Sequence, residues 1–290
     1  RPSAVSKTST TVDWIKRHPL AWLFGLAYGF TWLGAIGFLA NPSAATQRSF
    51  NIYAILYAFF FLAGCLWAAL IVTTATTGGR RALLGRLLRW HVNIVWYVIA
   101  LFFPAFYILA GTAINLILGA PVPQMPILTV PPSSWAVVVA INLGFYIIGN
   151  LEEFTWRGVG LPRLEAKYSA MSAALILGVV QTIWHLPYFF FPNSIEQQLG
   201  ALGFLAWNVG LSIVITWVFN NTQGSLLIAI LFHAANNAWG GLLATSGDIR
   251  ALYLNIGVIW VVAIALVVIF GARHLSRKSE TEIAPAIQID

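Results

Sequence analysis

Charge is scarce in this sequence. Only 9% of its 290 residues are Asp, Glu, Lys or Arg, where a typical soluble domain carries about 25%, so the chain lacks the means to cover a water-facing surface. Cysteine is nearly missing as well. Cys65 stands alone within an apolar run, which excludes an internal disulfide and a cysteine metal cluster and leaves a small buried hydrophobe as its reading. Aspartate is absent from every long apolar segment, which removes a membrane protease built on two aspartates. The sequence also holds no His-Glu-x-x-His zinc motif, no glycine-rich phosphate loop and no internal repeat.

What is present is apolar and aromatic. Hydrophobic residues make up 59% of the chain, with 13 Trp and a mean hydropathy of +0.79. The expected fold class is all-α, a polytopic membrane protein of about eight transmembrane helices around an intramembrane polar cavity. A span needs about 20 apolar residues, and eight segments qualify: 20–40, 52–74, 94–118, 135–160, 170–191, 199–219, 225–244 and 251–270. The first of these is too long for a signal-peptide core and carries Trp22 and Trp32, so it reads as an uncleaved helix. Residues 1–19 are expected as a cytoplasmic segment, 20–271 as one transmembrane domain, and 272–290 as a disordered cytoplasmic tail.

The net charge of +7 would suggest nucleic acid in a soluble protein. Here the basic residues gather at the ends of apolar segments, so no nucleic-acid partner is expected and membrane lipids are. With the N-terminus in the cytoplasm, fourteen of the sixteen Lys and Arg fall on the inner side, and only Arg48 and Arg250 lie outside. Eight spans with both termini cytoplasmic satisfy the positive-inside rule, and seven or nine do not. The expected location is the cell membrane. The stretch 79–90 alternates Arg with Leu and reads either as a basic amphipathic helix touching anionic headgroups or as a short helical connection. The stretch 120–134, with five prolines and no charge, suits an outer loop.

Against this background the adjacent acids Glu152 and Glu153 stand out, because a carboxylate at membrane depth costs several kcal/mol and calls for a use. Glu153 and Arg157 are four apart, one helical turn, and an ion pair between them accounts for one acid. Glu152, turned about 100° away, is left unexplained. The fifth segment carries His185. The seventh carries His233 and Asn237, again four apart and pointing the same way. Polar groups in lipid must find partners, and the nearest partners are one another. At about 1.5 Å per residue, Glu152 and His233 come out level, while His185 comes out some 9 Å deeper.

At these residues the chain resembles the CPBP family, the CAAX proteases and bacteriocin-processing enzymes also called the Abi family, which includes the type II CAAX prenyl endopeptidases. The family is marked by Glu-Glu-x-x-x-Arg, Phe-x-x-x-His and His-x-x-x-Asn or Asp on successive membrane helices. Glu152, Glu153 and Arg157 match the first motif and His233 and Asn237 the third, whereas the second has His185 but Gln181 in place of Phe. The resemblance covers about residues 135–244. It implies an intramembrane endopeptidase in which Glu152, helped by His185, activates water, His233 and Asn237 hold the oxyanion, and Glu153 with Arg157 supports them. The departure at Gln181 is expected to alter cavity shape more than chemistry.

Two His and one Glu with an open position also make a catalytic zinc set. No cofactor is expected, with zinc kept as the alternative, since Asn is a poor zinc ligand. The implied partner is a membrane-associated peptide or protein substrate, prenylated or CAAX-like substrates among the candidates. Two non-peptidase readings compete: a scaffold or bacteriocin-immunity protein of the same fold, and a proton-coupled transporter, which the absence of an inverted repeat disfavours.

Overall fold

The computed structural model describes residues 10–40, 59–60, 63–76, 78–243 and 248–277. Eleven α-helices occupy them in chain order. They are α1 (Thr10–Arg17), α2 (Pro19–Ala40), α3 (Gly64–Ala75), α4 (Gly79–Leu87), α5 (Ile94–Ile117), α6 (Trp135–Gly149), α7 (Leu161–Glu165), α8 (Ala170–Trp184), α9 (Ile195–Asn221), α10 (Leu226–Leu243) and α11 (Ile249–Phe270). No strand occurs among the described residues. The protein is all-helical and polytopic. Six stretches, containing α2, α5, α6, α9, α10 and α11, are long and apolar enough to cross a membrane, while α3 and α8 are apolar but shorter. Each of the eight expected segments overlaps one of these helices, although much of 52–74 lies outside the described residues.

The helix starts are set locally by side chains that satisfy the free N–H groups of a first turn. Asn93 accepts from the Val95 amide at α5, Ser169 from Ser172 at α8, Ser194 from Gln197 at α9, and Asp248 from Ala251 at α11. Packing between helices follows the membrane rule that small residues allow close approach. At Gly178 an added Cβ would lie 2.7 Å from the Val209 Cα, so α8 and α9 touch backbone to backbone. The centre of the bundle is α9 and α10, the two spans with most of their residues buried, while α6 at the edge has no buried residue.

The structure departs from the sequence reading in three places. The segment 135–160 is not one continuous helix. α6 stops at Gly149, residues 150–153 turn, and Phe154–Gly160 form a π-helix. The stretch 79–90 is helical as α4, but the Arg86 guanidinium is buried and donates to the Gly158 carbonyl at 3.2 Å. α4 is thus packed on the π-helix, with Leu84 and Leu88 exposed. In the expected outer loop, short 3-10 turns form at Pro126–Thr129 and Pro132–Ser134.

At the C-terminal end, residues 272–277 are held against the bundle. The Ala170 and Met171 amides donate to the Arg273 and Ala272 carbonyls, Asn220 and Asn221 donate to the His274 and Leu275 carbonyls, and Leu275 is fully buried. The remainder of the expected tail, from 278, lies outside the described residues, as do residues 1–9.

Candidate active site

The π-helix is the platform of the site, and its residues Thr155 to Gly160 are all buried. It begins where Asn150 ends α6, the Asn150 amide donating to the Tyr146 carbonyl at 2.9 Å. A π-helix is uncommon, and single-turn π segments concentrate at functional positions. Three contacts hold this one. The Thr155 hydroxyl donates to the Cys65 carbonyl on α3 at 2.5 Å, Arg86 holds the Gly158 carbonyl from α4, and Arg163 holds the Val159 carbonyl at 3.2 Å.

The two acids part at this platform. Glu153 has no exposed surface, and its Oε1 accepts from Arg157 Nη1 at 3.2 Å and faces His233 Nδ1 at 2.7 Å. The i,i+4 pair expected from the spacing is therefore present. Arg157 reaches further, donating to Gln181 Oε1 on α8 at 3.1 Å and to Ser212 Oγ on α9 at 3.3 Å. Its guanidinium joins the π-helix, α8 and α9 from the interior, so Arg157 is not one of the loop charges among which it was counted. Gln181 takes part in this network. A Phe at that position would offer Arg157 no acceptor.

Glu152 lies at a cavity wall. Its Oε2 accepts from Trp156 Nε1 at 2.9 Å, and its Oε1 stands 3.6 Å from His233 Nε2, too long for a hydrogen bond. The cavity holds about 720 Å³ and is lined by Glu152, Arg157, His185, His233 and Asn237 among others. Its walls mix apolar residues, among them Ile108, Phe145, Ile148, Leu211 and Ile215, with polar ones such as Asn150, Gln181, Asn208 and Asn255. The tertiary structure thus brings five of the six expected residues to one space, with Glu153 directly beneath. His185, at the end of α8, lines the same cavity, and its partner is Glu196, whose Oε1 lies 2.7 Å from His185 Nδ1.

Sequence reasoning missed four polar residues here. Glu196 sits in what reads as a short outer loop before the sixth apolar segment, and its only signal was being a lone acid close after His185. Asn150 accepts from Asn237 Nδ2 at 3.0 Å, while its own Nδ2 is buried and has no partner. Asn236 donates to Asn237 Oδ1 at 3.1 Å and accepts from Tyr107. Ser212 was one hydroxyl in a long apolar run. Adjacency to Glu152 and to Asn237 was the available signal for the two asparagines.

Two comparisons with known proteins bear on this site. Residues 131–239 match the family model described as type II CAAX prenyl endopeptidase Rce1-like. The "CAAX prenyl protease 2" of Methanococcus maripaludis is 29% identical over 127 residues, which cover 42% of this chain and 46% of that relative, so the chain spans under half of the relative's length. All six expected site residues lie inside the segment matched by the family model, and over that segment the chain is similar to the Rce1-like type II CAAX prenyl endopeptidases.

Proposed function

We propose that this protein is an intramembrane endopeptidase that hydrolyses a membrane-associated peptide, and that Glu152 is its base. The observation that carries the reading is the convergence of Glu152, His185, His233 and Asn237 on one cavity of about 720 Å³ whose lining is part apolar and part polar. Such a cavity suits a substrate that is partly lipid-like and partly peptide. The relative's name and the family description speak of CAAX prenyl substrates, and a prenylated or CAAX-like peptide is the substrate class to test first.

In the proposed mechanism, Glu152 Oε1 accepts a proton from a water as the water oxygen attacks the scissile carbonyl. The C–N bond then breaks, and the proton passes to the leaving amine. Trp156 holds Oε2, so the carboxylate keeps one orientation while Oε1 works. His185 assists the water. The developing oxyanion meets two donors from α10: Asn237 Nδ2, and Nε2–H of His233 as an imidazolium whose Nδ1–H is held by Glu153. Donors fixed in a poorly solvated cavity stabilise such charge strongly, and loss of one costs about 10²- to 10³-fold in rate.

We propose the metal-free form of this chemistry. His233 Nδ1 faces Glu153 and His185 Nδ1 faces Glu196, each at 2.7 Å, which leaves their Nε2 atoms for the cavity chemistry. What supports this form is that among the described residues no group of three or more His, Cys, Asp or Glu is placed to hold a metal. We further propose that both termini are cytoplasmic, from the distribution of Lys and Arg.

The test is hydrolysis of a farnesylated CAAX peptide and of a membrane-peptide library by purified protein in lipid. Wild type is expected to cleave and Glu152→Gln to be inactive while folded, with activity surviving stringent chelation. Wild-type turnover in Glu152→Gln would eliminate the glutamate base. Stoichiometric zinc, with activity lost on chelation and restored by zinc, would replace the metal-free form. No cleavage by wild type of any peptide would favour the scaffold reading.

A further inference from the structure

His185 is held by more than its place on α8. Its ring sits among three aromatic rings, with centroids 4.7 Å away at Trp184, 4.8 Å at Tyr188 and 4.8 Å at Phe204. These fix its plane. What fixes its hydrogen is Glu196, whose buried carboxylate faces Nδ1 at 2.7 Å. From this geometry we infer that Glu196 is a positioning residue for the cavity chemistry, selecting the His185 tautomer with the proton on Nδ1 and leaving Nε2 as a bare acceptor for the substrate side. The inference deepens the endopeptidase reading and rests on it.

The physical argument starts from what each group can do. An ionised carboxylate only accepts hydrogen bonds, and a neutral imidazole has one N–H and one acceptor nitrogen. A carboxylate at Nδ1 therefore places the proton there, and the other nitrogen becomes the acceptor. An unguided ring would share its time between two tautomers, one of which presents an N–H where an acceptor is needed. Glu196 removes that second state.

The chain between the two residues is built to hold this contact. After His185 the backbone turns through a 3-10 helix at Leu186–Phe190, the Tyr188 amide donating to the His185 carbonyl at 2.8 Å. The Ser194 hydroxyl donates to the Tyr188 carbonyl at 2.8 Å and accepts from the Gln197 amide at 3.1 Å, which anchors the first turn of α9 under the end of α8. Gly200, at φ +66°, then breaks the helix so that the residues beyond it follow a different direction. Positive φ at this bend favours glycine. The turn carrying Glu196 is thus set independently of the long part of α9. That is what a carboxylate needs in order to meet a side chain eleven residues earlier.

The experiment compares wild type, Glu196→Gln and Glu196→Asp in lipid by two measurements. The first is kinetic, on whichever peptide the wild type cleaves. Loss of an orienting partner of this kind costs roughly 10- to 100-fold, and here it is expected in kcat with KM within about twofold, because His185 is not proposed to hold the substrate. Glu196→Asp keeps the carboxylate and is expected to recover part of the loss. The second is ¹⁵N magnetic resonance of the histidine rings, with the His185 signals assigned by their disappearance in His185→Asn. Wild type is expected to show a protonated Nδ1 and an unprotonated Nε2, and Glu196→Gln a mixture.

A wild-type ring protonated on Nε2, or a tautomer unchanged in Glu196→Gln, overturns the inference, whatever the kinetics. So does wild-type kcat in an active Glu196→Gln. If wild type cleaves no peptide, the endopeptidase reading fails and the resonance measurement still decides the role of Glu196. The wild-type spectrum decides it alone if Glu196→Gln does not fold.

Discussion

Replacing Glu153 by Gln removes a negative charge from a position with no exposed surface, where Arg157 and His233 both depend on it. Arg157 is itself 1% exposed. Removing one partner of a buried ion pair costs about 3–5 kcal/mol, because the other charge is left uncompensated. Gln181 and Ser212 still accept from Arg157, and the new amide oxygen accepts too, so the lower end, about 3 kcal/mol, is expected. For a domain of this size that is a fall in Tm of roughly 6 to 12 °C. Glu152→Gln provides the control. Its side chain lies at the cavity wall and keeps an oxygen for Trp156, so its Tm is expected within about 4 °C of wild type. Thermal unfolding of the three proteins in one detergent, followed by intrinsic Trp fluorescence, measures both. If Glu153→Gln melts with wild type, or if Glu152→Gln falls as far, the division into a structural and a working carboxylate is wrong.

Gly178→Ala would place a Cβ 2.7 Å from the Val209 Cα. Backbone cannot yield there as a flexible side chain does, so a loss of about 1–3 kcal/mol is expected by the same melting assay. Burial pushes the Glu165 carboxyl up to about 8 from 4.5, with the Asn220 amide pulling weakly the other way. Between those pH values the unfolded chain ionises this group while the folded chain keeps its proton, so its contribution to stability falls as pH rises. Glu165→Gln is expected to abolish that share of the slope and to melt higher than wild type at pH 8, and identical pH dependence in both would contradict it. Reporter fusions at Pro123 are expected on the outer side and those near Arg86 in the cytoplasm, and a cytoplasmic signal at Pro123 would sink the proposed orientation.

Much of the site was legible because its residues obey rules of spacing. Glu153 and Arg157 are one turn apart and do pair, and Glu152 and His233, polar groups expected to seek partners in lipid, line one cavity. The break at Asn150 was not legible. The apolar segments on either side of Asn150, Glu152 and Glu153 add up to the length of one span, and whether the backbone there forms α or π turns depends on Cys65, Arg86 and Arg163 supplying partners from other elements. Glu196 was missed for a related reason. Its position after a turn says nothing about direction, and only the bend at Gly200 and the Ser194 bonds return its carboxylate to His185.

By itself, then, the sequence determined that the chain is a helical membrane protein and that its few interior charges must cluster, since composition and the cost of charge in lipid leave no other outcome. Which charge partners which was decided only by tertiary structure. The same His233 could face a carboxylate or an amide, and Arg157 could serve one helix or three. Those choices depend on angles and offsets between α8, α9, α10 and the π-helix, which arise from close packing at residues such as Gly178 and are not written in the spacing within any one segment.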